Sequence, residues 1–302
     1  MSAAAKMRVI AHPPSHRFRA LLATLTLAAA AARWLPMSVA EAGGSWHRPK
    51  PTVVLVHGGW ADSSSWSEVV GRLQDDVCTV EVPPNPLRGL VGDAAYLSAY
   101  LQTIAGPIVL VGHSYGGAVI TNAASGNVNV KALVFVNAFI PDQGETIAQL
   151  ASAQPGSALA IADPTTLFTL IPYPGSPPGD FDAYVLPAVF VDAFANDLPQ
   201  RTGSVLAATQ RPVALSALAT ASGTPAWRSI PSWALVGTQD RVLPPAQQLI
   251  MAERARAHIV KVNASHMLMI SRSKEVADLV RHVSQAIREH PAADAGRRNA
   301  ER

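Results

Sequence analysis

The 302-residue chain carries a single cysteine, Cys78, and little charge or aromatic character: 15% of its residues are Asp, Glu, Lys or Arg and 6% are Phe, Trp or Tyr. One cysteine excludes an intrachain disulfide framework and a thiolate metal cluster. Cys78 lies within an apolar, strand-like run and reads as a small core residue. The net charge of +3 points at first to a nucleic acid or an anionic membrane, but its distribution argues otherwise. Lys6, Arg8, Arg17, Arg19 and Arg33 precede residue 43, against Glu41 alone; without them 19 basic and 20 acidic side chains remain, a net of −1. The basic character belongs to the leader, and no nucleic-acid footprint is expected.

Long apolar runs are also scarce. Residues 20–32 form one of 13 residues, too short to span a bilayer comfortably. It follows a basic segment ending at Arg19 and precedes Ala40-Glu41-Ala42, which suits cleavage after small residues. Residues 1–42 therefore read as an export signal peptide, placing the protein in the periplasm or outside the cell. The long basic region with Pro13 and Pro14, and the intrusion of Arg33, leave a disordered extension or an uncleaved anchor as the other readings, with a cytoplasmic location if the leader is not functional.

What is abundant is apolar substance, 49% of the chain, enough for the full core of one α/β domain. Its organising stretch is Val109-Leu110-Val111-Gly112-His113-Ser114-Tyr115-Gly116-Gly117-Ala118-Val119-Ile120. A buried-strand run enters a G-x-S-x-G turn and leaves as a helix, so the serine hydroxyl projects from a tight, strained apex. Gly112 and Gly116 are required because side chains there would meet the turning backbone or the incoming helix. The bare pattern is short, and its strand-to-helix setting supplies the specificity.

The folded part is expected from Pro51. Strands are expected over 52–56, 78–82, 107–111, 131–139, 231–236 and 258–262, with helices over 64–73, capped by Ser63 or Ser64, and over 93–104, 118–124, 245–256 and 274–287. Such alternation builds a mostly parallel sheet of about six strands with helices on both faces. After the fourth strand the rhythm breaks: residues 141–228 are rich in Pro, Ala, Gly and Ser, with short helical patches and no clear strand, and 171–180 is a loop. The break falls where strand carboxyl ends define a ligand crevice, so 141–228 reads as a helical cap inserted into a core of 51–140 and 229–290. The tail 291–302 is expected to be disordered.

A serine hydroxyl needs a base to take its proton and an acid to hold that base in the right tautomer. His266 follows the last strand and is the candidate base; His258, His282 and His290 sit where packing or solvation explains them. Asp240, after the strand 231–236, is the candidate acid. Asp142, with Glu145 behind it, competes, but Pro141-Asp142-Gln143-Gly144 reads as a turn, and that is the preferred role for Asp142. The developing oxyanion needs preorganised N–H donors. Tyr115, directly after the nucleophile, supplies one; Gly59 in the first-strand turn is the candidate for the second, with Trp60 the alternative. His57 reads as fixing that turn. Trp60 and Trp227 are candidate pocket residues, or core.

These residues identify the chain as resembling the α/β-hydrolase superfamily over about residues 52–287. The segments His57-Gly58-Gly59-Trp60 and Gly112-His113-Ser114-Tyr115-Gly116-Gly117 are similar to the branch of plant methylesterases and hydroxynitrile lyases. The resemblance implies an α/β-hydrolase fold without the first two strands of larger members, a cap after the sixth strand by the family's count, and no cofactor; no metal site is expected either. It maps a triad onto Ser114, Asp240 and His266, in the chain order this fold uses, and oxyanion donors onto Gly59 and Tyr115. Hydroxynitrile lyases of the branch carry lysine after the catalytic histidine; Met267 stands there and argues against cyanohydrin cleavage. Ser114 at the elbow excludes the aspartyl-ester chemistry of haloalkane dehalogenases and epoxide hydrolases.

The function expected is hydrolysis of a carboxylic ester of a small, largely apolar substrate through an acyl-enzyme. A small-ligand receptor, or a cofactor-free lyase or oxygenase, on the same fold are the competing expectations. The partner expected is a small-molecule ester, with neither nucleic acid nor stable membrane insertion once the leader is cleaved; oligomeric state has no signature in the sequence.

Overall fold

In the computed structural model, residues 49–75 and 79–289 are described. The expectations for the leader, for Cys78, for His290 and for the tail lie outside them.

Six strands, β1 (Thr52–Val56), β2 (Val80–Glu81), β3 (Ile108–His113), β4 (Val130–Val136), β8 (Ser232–Gly237) and β9 (His258–Val262), form one sheet in the order β2-β1-β3-β4-β8-β9. Every pairing is parallel. β1 and β3 are buried at every position, which is why their sequences are continuous apolar runs without a polar alternation. β9 lies at an edge, and His258, Val260 and Lys261 are exposed there. Helices Ser67–Gln74 and Ser273–Glu289 pack together, as do Leu90–Leu101 and Tyr115–Ala123, and these pairs cover the sheet.

The parallel arrangement has a direct consequence for chemistry. Register pairs Val56 with Gly112, His113 with Val136, and Gly237 with Val262, so His57, Ser114, Asn137, Thr238 and Asn263 all emerge at one rim. Residues distant in sequence are thereby delivered to one place.

The segment between β4 and β8 differs from the helical insertion expected. It contains a three-stranded antiparallel sheet, β5 (Phe168–Ile171), β6 (Asp182–Val185) and β7 (Val213–Ala214), in the order β5-β6-β7, beside the π-helical turn Phe190–Phe194 and the helix Gln200–Thr209. These strands are two to four residues long and their pairing is decided by tertiary contact. The Trp60 indole N–H donates to the Ala183 carbonyl at 2.9 Å, and the Ala214 N–H to the Leu87 carbonyl at 3.0 Å, stitching this small sheet to the core.

The first helix also starts differently. Asp62, not Ser63 or Ser64, is the cap: its carboxylate accepts the Ser64 N–H at 2.8 Å and opens a 3-10 turn, Ser63–Trp66, before the helix Ser67–Gln74. The second expected strand shortens to Val80–Glu81. Among the described residues no helix is long and apolar enough to cross a membrane.

Candidate active site

The position of Ser114, the candidate nucleophile, follows from backbone geometry. Ser114 has φ 50° and ψ −123°, in the strained positive-φ region, between β3 and the helix Tyr115–Ala123. A Cβ at Gly112 would lie 2.6 Å from the Gly116 carbonyl oxygen, and one at Gly116 the same distance from that of Val56. Only glycine permits this turn so near β1. Ser114 is fixed to its neighbour strand by its N–H donating to Val136 O at 3.3 Å and its carbonyl accepting the Phe139 N–H at 3.1 Å.

His266, in the loop after the edge strand β9, meets it at the same rim. Its Nε2 lies 2.9 Å from Ser114 Oγ, and its Nδ1 lies 2.8 Å from Asp240 Oδ2. A neutral imidazole in this setting donates from Nδ1 to the carboxylate and accepts the serine proton at Nε2. All three side chains are buried, at 3%, 1% and 4% exposure for Ser114, His266 and Asp240, so water does not compete for these bonds.

Asp240 is held in turn. Its Oδ1 accepts the N–H groups of Val242 at 2.8 Å and Leu243 at 2.9 Å, and its Oδ2 accepts Gln248 Nε2 at 2.9 Å. Gln248 also donates to the Leu243 carbonyl at 2.8 Å. It escaped the sequence reading because one buried glutamine on the helix Pro245–Arg254 has no motif to mark it. The competitor Asp142 accepts Gln143 N–H at 2.7 Å and pairs with Arg228 at 2.5 Å, while Glu145 pairs with Arg254. These are the contacts of a turn, and they do not involve His266.

Two further histidines frame the site without joining the relay. His57 donates from Nδ1 to the Gly58 carbonyl at 2.9 Å and accepts the Asn85 N–H at Nε2, 3.0 Å away, while Asn85 Nδ2 donates to the His57 carbonyl at 3.0 Å. Burial pushes its pKa down to about 4, against the upward pull of the bond to Gly58, so it is a neutral clamp on the turn, as expected. His113, also driven well below the ordinary range by burial, donates from Nε2 to the His266 carbonyl at 2.9 Å.

That first turn runs directly over the elbow. A Cβ at Gly58 would lie 2.7 Å from Ser114 Cβ, and one at Gly59 would lie 3.0 Å from Val213 of the cap. Gly59 therefore sits between nucleophile and cap, with Trp60 beyond it at φ 55°. Tyr115 opens its helix, where first-turn N–H groups have no partner within the helix. Its hydroxyl donates to Asp93 at 2.8 Å, fixing the residue in place.

The cap roofs the site with aromatic rings. Trp60 stacks on Phe168 at 5.4 Å and meets Phe194 edge-on at 5.6 Å; Phe190 stacks on Phe194 at 4.9 Å. A cleft lined by Trp60, Phe190, Leu206 and Met267 adjoins this roof. Trp60 thus lines this cleft and meets Phe194, whose ring in turn lies against the His266 imidazole. Trp227 takes the other role foreseen for it: its indole donates to the Pro141 carbonyl at 2.9 Å, with Arg228 and Arg254 over its ring. Phe168, Phe190 and Phe194 were missed because the cap gives no periodic signal that would set its aromatic residues against the core. Among the described residues no group of three or more His, Cys, Asp or Glu is placed to hold a metal ion.

Comparison with known proteins points the same way. The model of the Alpha/beta hydrolase family matches residues 53–279. A carbendazim hydrolyzing esterase of Nocardioides sp. (strain SG-4G) is 30% identical over 110 residues, 32% of this chain and 46% of that protein, so the match spans less than half of the curated relative's length. Among solved structures, polyneuridine aldehyde esterase superposes with a TM-score of 0.66 at 20% identity, covering 78% of this chain and 100% of that one. A pyrethroid hydrolase from Sphingobium faniae JZ-2 does so with 0.63 at 19% identity, covering 80% and 99%. At these identities the structural likeness speaks for the fold.

Proposed function

The chain belongs to the alpha/beta hydrolase family, and from that premise we propose that it is a serine hydrolase cleaving a carboxylic ester of a small, largely apolar substrate. The observation that carries the reading is the continuous relay Ser114 Oγ, His266 Nε2, His266 Nδ1, Asp240 Oδ2, with links of 2.9 and 2.8 Å. In this mechanism His266 takes the Ser114 proton as the hydroxyl oxygen attacks the acyl carbon. Asp240 keeps the imidazole in the Nδ1–H tautomer and stabilises the imidazolium that forms. The N–H groups of Gly59 and Tyr115 receive the oxyanion, each donor contributing on the order of 10²- to 10³-fold.

Collapse of the tetrahedral intermediate expels the alcohol, which takes the proton from His266. Water, deprotonated by the same imidazole, then attacks the acyl-enzyme and releases the acid. The aromatic roof of Trp60, Phe168 and Phe194 favours apolar acyl or alcohol groups, because a charged substituent there would lose its hydration without a partner. The names of the esterase and hydrolase relatives support ester cleavage as the reaction class.

The test is turnover of short p-nitrophenyl esters together with labelling by a fluorophosphonate. Both are expected for the native protein and both should vanish in Ser114→Ala. Labelling with no ester turnover would favour another reaction at the same serine, and absence of both would favour a ligand receptor. We also propose export on the strength of the leader, to be checked by mass spectrometry of the first residue of the exported protein.

A further inference from the structure

A buried amide lies where the elements of the relay meet, and the mechanism above assigns it no part. Asn137 directly follows β4, the strand beside the nucleophile's own, and is fully buried. Its φ of 44° is the left-handed conformation that asparagine tolerates better than most residues. Its N–H donates to Leu235 O at 2.9 Å, and its side chain bridges two loops. Oδ1 accepts the Gly237 N–H at 2.6 Å; Nδ2 donates to the Ser265 carbonyl at 2.7 Å and lies 3.2 Å from that of His266. A donor faces one end of the amide and carbonyls face the other, so the opposite orientation would leave every partner unpaired.

These partners are the supports of the relay. Gly237 ends β8, three residues before Asp240, and Ser265 and His266 form the loop of the base. The residue before Asn137, Val136, accepts the Ser114 N–H at 3.3 Å. The His266 carbonyl that faces Asn137 also accepts His113 Nε2, so two strands grip the backbone of the base. The fit is closed as well: a Cβ at Gly237 would lie 2.8 Å from both Asn137 amide atoms and from the Ala264 carbonyl oxygen.

We propose that Asn137 is a positioning residue, which holds the Asp240 and His266 loops against one another and keeps the imidazole within reach of Ser114. It rests on the reading of His266 as the base. Without the amide, the Gly237 N–H and the Ser265 carbonyl lose a buried partner, and small shifts of the base follow. Misplacement of a reacting group by about 1 Å costs up to roughly 100-fold. Because Asn137 acts through the imidazole, the loss falls on kcat and leaves KM in place.

Two variants test this. Asn137→Gly accepts the positive φ and deletes the amide; Asn137→Asp keeps the shape and, when ionised, has no proton to donate. With p-nitrophenyl acetate, kcat should fall about 10- to 100-fold in each, with KM within about twofold of the native value. Added to His266→Ala, Asn137→Gly should cause no further loss, since nothing remains to be positioned. Native kcat in either variant, a rise in KM that accounts for the loss, or a loss that multiplies with His266→Ala would overturn the proposal. A native protein that neither hydrolyses the ester nor reacts with a fluorophosphonate would remove the esterase reading instead. The decision on Asn137 then passes to the downfield proton resonance of the His266 Nδ1–H bonded to Asp240. It should broaden or vanish in both variants, and its persistence unchanged would refute the assignment.

Discussion

The Phe194 ring stands perpendicular to the His266 imidazole, with centroids 5.4 Å apart and planes at 87°, while its carbonyl accepts the Met267 N–H at 3.0 Å. Side chain and backbone of one cap residue thus both bear on the loop of the base. The residue closes a π-helical turn, a form often found at functional sites. Phe194→Ala is expected to destabilise the fold by about 3–5 kcal/mol and to open space beside His266. Longer p-nitrophenyl esters should gain in kcat/KM relative to the acetate. An unchanged chain-length preference would place Phe194 outside the substrate chamber.

Gln248 shares Asp240 Oδ2 with the imidazole. Gln248→Leu keeps the volume and removes a charge-assisted donor, leaving the Leu243 carbonyl without this partner as well. The expected cost is about 1.5–3 kcal/mol of stability and about a tenfold fall in kcat, read from denaturant unfolding and steady-state kinetics. A fall in stability with native kcat would confine the residue to a structural role.

The buried histidines set a direction for stability against pH. His57 titrates at about 4 when folded and near 6.5 when unfolded, because burial disfavours its charge. The unfolded chain binds the extra proton between those values, so the contribution, on the order of 3 kcal/mol, is complete above about pH 6.5 and is lost as pH falls toward 4. His113 acts in the same sense. The melting temperature should therefore drop between pH 7 and 4.5. His57→Gln, whose amide can both donate to Gly58 and accept from Asn85, should show a shallower drop, and an equal slope would contradict the assignment.

The elbow tolerates no added methyl. In Gly116→Ala the new Cβ would lie 2.6 Å from the Val56 carbonyl oxygen and 2.8 Å from that of His57, both backbone atoms with little freedom to retreat. The expected loss is about 1–3 kcal/mol or more, with fluorophosphonate labelling of Ser114 reduced even in the fraction that stays folded. Normal labelling would show that the turn relaxes.

Much of this was legible in one dimension because its causes are local. Continuous apolar runs marked β1, β3, β4 and β8, and Gly112 and Gly116 bracketed Ser114, where steric contact leaves few choices of residue. His266 and Asp240 were candidates by their places after strands, since a parallel sheet sends all its carboxyl ends to one rim, and the fold brings them within hydrogen-bonding reach of each other. The strands of the cap were not found. Phe168–Ile171 pairs with Asp182–Val185 across a Pro- and Gly-rich loop, and neither segment is long enough to carry a period of its own.

The sequence by itself determined the alternation of strands and helices, the strained serine turn and the chain order of Ser114, Asp240 and His266, because backbone sterics and hydrophobic periodicity act between near neighbours. Only the tertiary structure decided that Asn137 and Gln248 bond to the segments that carry Asp240 and His266, that Phe194 lies against His266 and that Trp227 stands elsewhere. Those roles are contacts between residues far apart in the chain, and their partners exist only once the sheet has brought its loops to a common rim.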